Sequence, residues 1–280
     1  MNLIQAVLMG IVQGLSEFLP ISSSAHLVFT SNFYKVFKGM DIAEASSQEV
    51  FFDIMLHLGT LIAVLIFFRK DICEILGEMY RALKTRNYNG DKAKLGFYIL
   101  FGTIVTVFVA YPLNEVAEKL VFAPMIVGIL LIGTGILLFS SEKFSQKVEK
   151  TDKIELKTAL LMAFAQGLAA LPGFSRSGLT IATGLFRKLD RTTAARFSFL
   201  LSIPIILGAS MLYPLIKLDL AEVITYDWAE ILIGTIVSSA VGYLCIKYFL
   251  KFVSKFSLNI FAVYCVIMGI FTSIFFAIVR

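Results

Sequence analysis

Charged residues are scarce in this chain, and their scarcity decides the class of protein. Only 16% of the 280 residues are Asp, Glu, Lys or Arg, whereas 58% are hydrophobic. Water-soluble domains carry roughly 25% charged and about 45 to 50% apolar residues, so this composition excludes a soluble fold. The six prolines and 19 glycines also exclude collagen-like and disordered chains, which are never this rich in large apolar residues. A polytopic α-helical membrane protein remains.

Cysteines are also few, and basic residues are absent near the N-terminus. Cys73, Cys245 and Cys265 lie in or beside apolar stretches without paired spacing, so neither a disulfide framework nor a zinc site is expected. No Lys or Arg precedes Lys35, so we expect no cleavable signal peptide. In a membrane protein, the basic residues behind the net charge of +5 determine the orientation of the chain in the bilayer. No nucleic-acid partner is therefore expected.

Six apolar stretches are long enough to cross a hydrocarbon core of about 30 Å. They are residues 51–68, 95–112, 122–140, 195–216, 229–250 and 258–279. Two more apolar regions are interrupted: residues 3–15 run into a Pro- and Ser-containing turn, and so do residues 158–171. Each half is too short to span the membrane, so each region is predicted to be a re-entrant pair of short helices.

The two interrupted regions resemble each other. Residues 9–15 (MGIVQGL) match residues 162–168 (MAFAQGL), and each region then reaches Leu-Pro followed by serine. Three spans follow each region, and an odd number of spans per repeat inverts the second copy. We therefore predict an all-α polytopic membrane protein with two inverted-topology repeats, each a re-entrant helix pair followed by three transmembrane helices. The single membrane domain would cover residues 1–280, with repeats at about 1–140 and 158–280.

The distribution of basic residues supports this topology, because cytoplasmic loops carry the excess of Lys and Arg. The predicted cytoplasmic segments hold 19 of the 25 basic residues, and the opposite side receives five. These segments are residues 69–94, 143–157, 187–196 and 247–255. The remaining one, Arg176, lies in the second interrupted region. The two helix pairs then enter from opposite faces, and we expect their turns to share one cavity near the bilayer midplane.

Charged groups inside a membrane are costly and usually mark a functional site. The first turn supplies Glu17 and His26, and the second supplies Arg176. A guanidinium group binds phosphate oxygens bidentately, so the cavity is predicted to bind a phosphate group.

Serines before each second half-helix strengthen that prediction, because helix N-termini present free backbone N–H groups to anions. Ser22, Ser23 and Ser24 precede one run, and Ser175 and Ser177 lie at the start of the other. Ser23 and His26 are three residues apart, so they share a helix face if the helix begins at the serines. A hydroxyl, an imidazole and a carboxylate beside a phosphate indicate phosphoryl transfer.

Two segments carry a family resemblance. Residues 17–26 (EFLPISSSAH) and 172–180 (PGFSRSGLT) resemble the signature motifs of the bacitracin-resistance (BacA/UppP) type of bacterial undecaprenyl-diphosphate phosphatase. The resemblance covers essentially the whole chain, including residues 197–204 (FSFLLSIP). It implies an enzyme of the bacterial cytoplasmic membrane that removes the terminal phosphate of undecaprenyl diphosphate at the outer face, recycling the lipid carrier for cell-wall synthesis.

The resemblance also implies a cofactor and partners. The cofactor is a divalent cation, Mg²⁺ or Ca²⁺, and the partners are the polyprenyl diphosphate substrate and the lipid bilayer. Bacitracin is expected to compete for the substrate rather than bind the protein. The sequence is silent on oligomeric state, and a homodimer is one arrangement that it leaves open.

Carried over position by position, the resemblance assigns roles to named residues. The catalytic set is Glu17, Ser23, His26 and Arg176, with Glu17 also the predicted metal ligand. The predicted substrate-binding residues are Gln13, Ser22, Ser24, Ser175, Ser177 and Thr180.

This chain departs from the family pattern at two positions. Gln13 stands where some members have a glutamate, and Ala25 stands where a glycine often precedes the histidine. With the first departure, Glu17 is the one charged metal ligand of the first motif, Gln13 offers a neutral oxygen, and Asp53 at the start of the first full span is a further carboxylate.

Each of these residues also has a structural interpretation. Glu17 could be an interfacial carboxylate, His26 a hydrogen-bonded core histidine and Arg176 a structural arginine, while the serines could be ordinary helix caps. His57, inside a span near Asp53, is predicted to be structural rather than catalytic.

The rival function is a secondary transporter or flippase of an anionic lipid or small anion, because inverted repeats with broken helices are a transporter architecture. An anion channel is the third alternative.

Overall fold

The computed structural model describes residues 3–37, 46–217 and 220–278, and the described chain is helical almost throughout. A 3₁₀ turn at Tyr111–Leu113 separates α5 from α6, and a single β-bridge joins Thr151 to Leu189. The helices are α1 (Leu3–Ser16), α2 (Ser23–Phe37), α3 (Ser47–Phe67), α4 (Arg69–Thr85), α5 (Asp91–Ala110), α6 (Asn114–Leu120), α7 (Pro124–Ser145), α8 (Leu156–Leu168), α9 (Arg176–Phe186), α10 (Arg191–Lys217), α11 (Leu220–Val223), α12 (Trp228–Val253) and α13 (Asn259–Ile278).

Six of these helices are long and apolar enough to cross a membrane: α3, α5 with its continuation into α6, α7, α10, α12 and α13. They match the six predicted spans, so the prediction of a multi-pass helical membrane protein is confirmed. The interrupted regions are also confirmed: α1 and α2 flank the first turn, and α8 and α9 flank the second.

One helix falls where the sequence indicated only a basic loop. Helix α4 follows the first span directly and buries Ile75 and Ala82 against the bundle. Its other face exposes Leu76, Tyr80 and Leu83 among basic residues. Because the charged residues keep its overall hydropathy low, a search for long apolar stretches passes over an amphipathic helix of this kind.

The contacts that the helices of one repeat make with the other repeat are matched by those of their counterparts. Helix α1 packs on α12 and α8 packs on α5, α3 contacts α12 and α10 contacts α5, and the third spans α7 and α13 pack together. This reciprocity is consistent with two inverted copies, whose limits along the chain stay a prediction.

The predicted cytoplasmic segments meet at one end of the bundle. Arg196 pairs with Asp71 at 2.6 Å. Buried Glu142 accepts two hydrogen bonds from Arg191, at 2.6 and 2.7 Å, and one from the backbone N–H of Leu258 at 3.0 Å. These contacts join segments near residues 71, 142, 191 and 258, so the basic residues gather on one side of the molecule.

Candidate active site

The turns of the two interrupted helix pairs touch each other, as the sequence predicted. Ser177 Oγ donates to the carbonyl oxygen of Leu19 at 2.9 Å. Ser22 Oγ lies 3.4 Å from the carbonyl oxygen of Phe174, to which it donates. These hydrogen bonds link residues more than 150 positions apart, so the two repeats form one site.

The first turn bends through a left-handed residue. Ser22 has φ of 69°, a conformation that is uncommon for a residue with a side chain. Its Oγ accepts from the backbone N–H of Ala25 at 3.3 Å, which caps the N-terminus of α2. The bend and cap place Ser23 and Ser24 at the first turn of α2, where backbone N–H groups have no partner within the helix.

The second turn is held by Thr134 of α7. Thr134 Oγ1 accepts from the backbone N–H of Ser175 at 3.1 Å and donates to the carbonyl oxygen of Gly173 at 3.2 Å. Gly173 has φ of 104°, and a Cβ atom there would lie 2.5 Å from the carbonyl oxygen of Val127, so this close turn requires glycine. Ser175 Oγ then accepts from the N–H of Gly178 at 3.1 Å and caps α9, which places Arg176 at the first position of that helix.

Glu17 lies at the centre of the site. Its Oε1 accepts from Arg176 Nη2 at 2.7 Å, and its Oε2 accepts from Ser23 Oγ at 2.7 Å and from Gln13 Nε2 at 3.0 Å. Glu17 is only 7% exposed, and burial makes a paired carboxylate much more favourable than an isolated one. The predicted meeting of Glu17 with Arg176 is therefore observed, and this ion pair joins the two repeats.

Arg176 keeps part of its guanidinium available. Nη1 donates to the carbonyl oxygen of Ser198 in α10 at 3.3 Å, and the side chain remains 16% exposed. Because a guanidinium carries five N–H donors in a planar fork, these two hydrogen bonds leave donors for an anion.

His57 of α3 lies beside this cluster, and the structural role predicted for it stays a prediction. Its Nε2 lies 3.7 Å from Glu17 Oε2, and its side chain is 33% exposed. A histidine inside an apolar span is a functional-site candidate, and its position beside Glu17 makes His57 one here.

The structure does not bring His26 into the cluster. His26 Nδ1 lies 2.8 Å from the carbonyl oxygen of Ser22, and Nε2 lies 2.7 Å from the hydroxyl of Tyr264. The two rings also stack, with centroids 5.7 Å apart. Although α2 does begin at the serines, Ser23 turns towards Glu17 and His26 towards α13, and the catalytic role of His26 stays a prediction.

The predicted substrate-binding residues of the second motif are mostly used by the protein itself. Ser175, Ser177 and Thr180 are fully buried. Thr180 Oγ1 lies 2.6 Å from Ser198 Oγ and donates to the carbonyl oxygen of Arg176 at 2.8 Å. In this arrangement the three hydroxyls shape the start of α9 instead of facing open space.

A cavity of about 380 Å³ opens beside the cluster. Its polar wall includes Glu17, Ser23, Ser24, His57, Gln166 and Arg176. Its apolar wall includes Ile54 of α3, Phe174 of the second turn, and Ile205 and Ile206 of α10. A second cavity of about 180 Å³ shares Ser24 and His57 with the first. One side of the main cavity thus suits a phosphate group, and the other suits a hydrocarbon chain.

The fit of a divalent cation depends on Glu17 and Gln13. In the described part of the chain, no group of three or more His, Cys, Asp and Glu side chains is arranged to hold a metal ion. Gln13 Oε1, however, is buried without a hydrogen-bond partner, one helical turn from Glu17. Mg²⁺ is commonly bound by one or two protein oxygens together with substrate phosphates and water. Glu17 and Gln13 fit a site of this kind, in which the protein supplies only one or two of the oxygen ligands.

Comparison with known proteins identifies the family. The family model described as bacitracin resistance protein BacA matches residues 6–271. The chain belongs to the BacA family.

Individual members of this family are similar along almost their whole length. Undecaprenyl-diphosphatase 1 of Pseudoalteromonas translucida (strain TAC 125) is 34% identical over 270 residues, which cover 96% of this chain and 97% of that protein. The undecaprenyl-diphosphatase of Methanobrevibacter smithii is 39% identical over 279 residues, covering 96% of each chain. That of Geobacter metallireducens is 38% identical over 272 residues, again covering 96% of each.

Proposed function

We propose that this BacA-family protein is an integral-membrane phosphatase that hydrolyses undecaprenyl diphosphate to undecaprenyl phosphate and inorganic phosphate. The proposal rests on the carboxylate of Glu17, which accepts a hydrogen bond from Arg176 through one oxygen and from Ser23 through the other. An anion-binding cation and an oriented hydroxyl therefore stand together at a cavity that also has an apolar wall. The full-length similarity to proteins named undecaprenyl-diphosphatase supports the same substrate.

The geometry suggests how the first step proceeds. The diphosphate binds Arg176 and the N–H groups at the start of α2. Ser23 Oγ attacks the terminal phosphorus and gives its proton to Glu17 Oε2, 2.7 Å away. The bond from phosphorus to the bridging oxygen breaks, and its electron pair leaves with undecaprenyl phosphate. Direct attack by water and a phosphohistidine at His26 are the alternatives to this route.

A divalent cation, Mg²⁺ or Ca²⁺, is part of the proposal. Glu17 and the free oxygen of Gln13 would be its protein ligands, and the cation would neutralise charge on the diphosphate. We expect phosphate release to stop when a chelator removes the cation and to resume when Mg²⁺ or Ca²⁺ is restored.

We also propose that the site opens to the outer face of the bacterial cytoplasmic membrane. Helix α10 starts at the basic end of the bundle at Arg191, whereas the cavity contacts its more distant residues, including Ile205 and Ile206. Helix α3 runs the other way, and the cavity contacts its first half at Ile54 and His57. These contacts support a cavity that opens away from the basic end, which the positive-inside rule assigns to the outer side.

The apolar wall between α3 and α10 would then guide the polyprenyl chain, with its tail left among the lipids. Bacitracin would act by competing for this substrate. Whether the protein works as a homodimer stays a prediction.

Phosphate release from purified protein tests the proposal. With undecaprenyl or C15 isoprenyl diphosphate and Mg²⁺ or Ca²⁺, we expect release by wild type and a loss of at least about 100-fold in Arg176→Ala, because a preorganised cationic clamp contributes that much to a phosphoryl transfer. Arg196→Ala is the matched control, since Arg196 pairs with Asp71 at the basic end and should retain activity. Absence of release by wild type would overturn the phosphatase assignment.

Transport of an anionic lipid is the second candidate function, favoured by the reciprocal packing of two broken helix pairs, a transporter architecture. Liposomes that contain purified protein and labelled lipid test it. Leaflet exchange no faster than in protein-free liposomes would exclude this function.

A further inference from the structure

His57 is held in one orientation by its own helix. Its Nδ1 lies 2.8 Å from the carbonyl oxygen of Asp53. A carbonyl oxygen can only accept, so Nδ1 carries the proton, and Nε2 of the neutral ring carries the lone pair. The hydrogen bond therefore fixes both the tautomer and the direction of the basic nitrogen.

That basic nitrogen faces the reacting groups. Nε2 lies 3.7 Å from Glu17 Oε2, too far for a hydrogen bond, and Ser23 Oγ lies 2.7 Å from the same oxygen. In the described structure, no hydrogen bond to His57 Nε2 is found. Because His57 lines both cavities, its free nitrogen stands where a water molecule can reach both the ring and Ser23.

The environment of His57 is rich in charge. Glu17 of α1 and Arg176 of α9 line the same cavity. Asp53 and Glu49, one and two turns earlier on α3, line the second cavity. The imidazole therefore lies between the pocket that suits the phosphate and a second cavity whose lining includes two carboxylates.

The proposed reaction requires a second base. In the first step Glu17 takes the proton of Ser23, and in the second step Ser23 Oγ must leave phosphorus and recover a proton, which Glu17 supplies. Glu17 then cannot also accept the proton of the attacking water. General bases are most effective when they are within reach of that proton, and His57 Nε2 meets this condition.

We propose that His57 is the general base for hydrolysis of the phosphorylated Ser23. Water oxygen bonds to phosphorus while its proton passes to His57 Nε2. The bond from phosphorus to Ser23 Oγ breaks, and its electron pair stays on Oγ, which takes the proton held by Glu17. Inorganic phosphate is released, and His57 returns its proton to solvent. This inference rests on the proposed phosphatase function.

The two histidines of the chain differ in the way that this role requires. Both ring nitrogens of His26 have protein partners, Ser22 and Tyr264, whereas His57 has one anchored and one free nitrogen. A substitution at each position should therefore affect different steps of the reaction.

Rapid-quench kinetics with substrate labelled in both the lipid chain and the terminal phosphate tests the inference in full-length protein in detergent. In His57→Gln we expect the initial burst of undecaprenyl phosphate to be kept, steady-state release of phosphate to fall at least about 100-fold, and label to accumulate on Ser23. His26→Gln should not accumulate labelled protein, and Ser23→Ala should give no burst. A purely structural role of His57 would slow the burst and the steady state together.

Chemical rescue gives a second, independent measurement. Added imidazole should restore at least about 10-fold of the lost phosphate release in His57→Ala, because the side chain borders an open cavity, and should leave Arg176→Ala unchanged. Wild-type steady-state rates in His57→Gln, absence of labelled Ser23, or no rescue of a folded His57→Ala would each overturn the assignment of His57. In contrast, a wild-type protein that releases no phosphate would overturn the phosphatase function itself.

Discussion

The two interrupted helix pairs have similar sequences but contribute differently to the site. Four residues after the matched glutamines, the first turn has Glu17 and the second has Ala170, and both line the same cavity. The first turn thus supplies the carboxylate and, at Ser23, the hydroxyl. The second supplies the cation of Arg176.

The remaining polar groups of the two turns differ in the same way. In the first motif, Ser23 and Ser24 reach the cavity. In the second, Ser175 and Ser177 are buried and hydrogen-bonded within the protein. The first repeat thus provides a carboxylate and hydroxyls that line the cavity, while the second provides one cation there and uses its serines in hydrogen bonds within the protein. Substitution of Glu17 or Ser23, or loss of the Arg176 charge, should therefore reduce turnover, whereas substitution of the buried serines of the second turn should reduce stability.

The largest effect is expected from Glu17→Gln. The amide keeps the shape of the side chain but cannot accept the proton of Ser23, so we expect phosphate release to fall by roughly 1,000-fold. Glu78→Gln serves as the control, because Glu78 pairs with Arg81 on α4, away from the cavity. Activity of Glu17→Gln within 10-fold of wild type would show that the first turn does not carry the base.

The main features of the fold follow from the sequence because they depend on composition along the chain. Long apolar stretches predict the spans, and breaks with proline and serine predict the two turns. The meeting of Glu17 with Arg176 follows from an inverted repeat, which brings two matched turns to the same depth. Each of these inferences needs only the order and length of segments.

The contributions of the spans themselves were harder to predict. The rotation of their helices places His57 of α3 beside Glu17 and Tyr264 of α13 beside His26. A uniformly apolar helix gives little periodic signal for which face turns inward. The sequence consequently grouped His26 with Ser23 by spacing, although Tyr264 draws the imidazole to another helix. For the same reason, the sequence does not predict that His57 Nε2 lies near Glu17 without a hydrogen bond in the described structure.

A smaller effect, on stability, is expected from Thr134→Val. Valine has a similar shape but removes the hydroxyl that binds the N–H of Ser175 and the carbonyl oxygen of Gly173. Leaving these buried groups unpaired should lower the free energy of unfolding by roughly 1–3 kcal/mol, measured by thermal or denaturant unfolding in detergent. Thr235→Val is the matched control, because the Thr235 hydroxyl bonds only to Ile231 of its own helix. Equal stability losses in the two variants would contradict the bracing role of Thr134.

The smallest effects come from two serine substitutions that compare the turns directly. Ser175→Ala removes the N-cap of α9 and should cost about 1 kcal/mol of stability, with KM nearly unchanged. Ser24→Ala removes a cavity hydroxyl whose protein contact is Ser22 Oγ at 3.2 Å. We expect it to raise KM a few-fold and to change stability by less than roughly 0.5 kcal/mol. Unfolding experiments and steady-state kinetics on both variants measure the stability and KM. A raised KM in Ser175→Ala together with a loss of stability in Ser24→Ala would mean that the second turn, rather than the first, contacts the substrate through its hydroxyls.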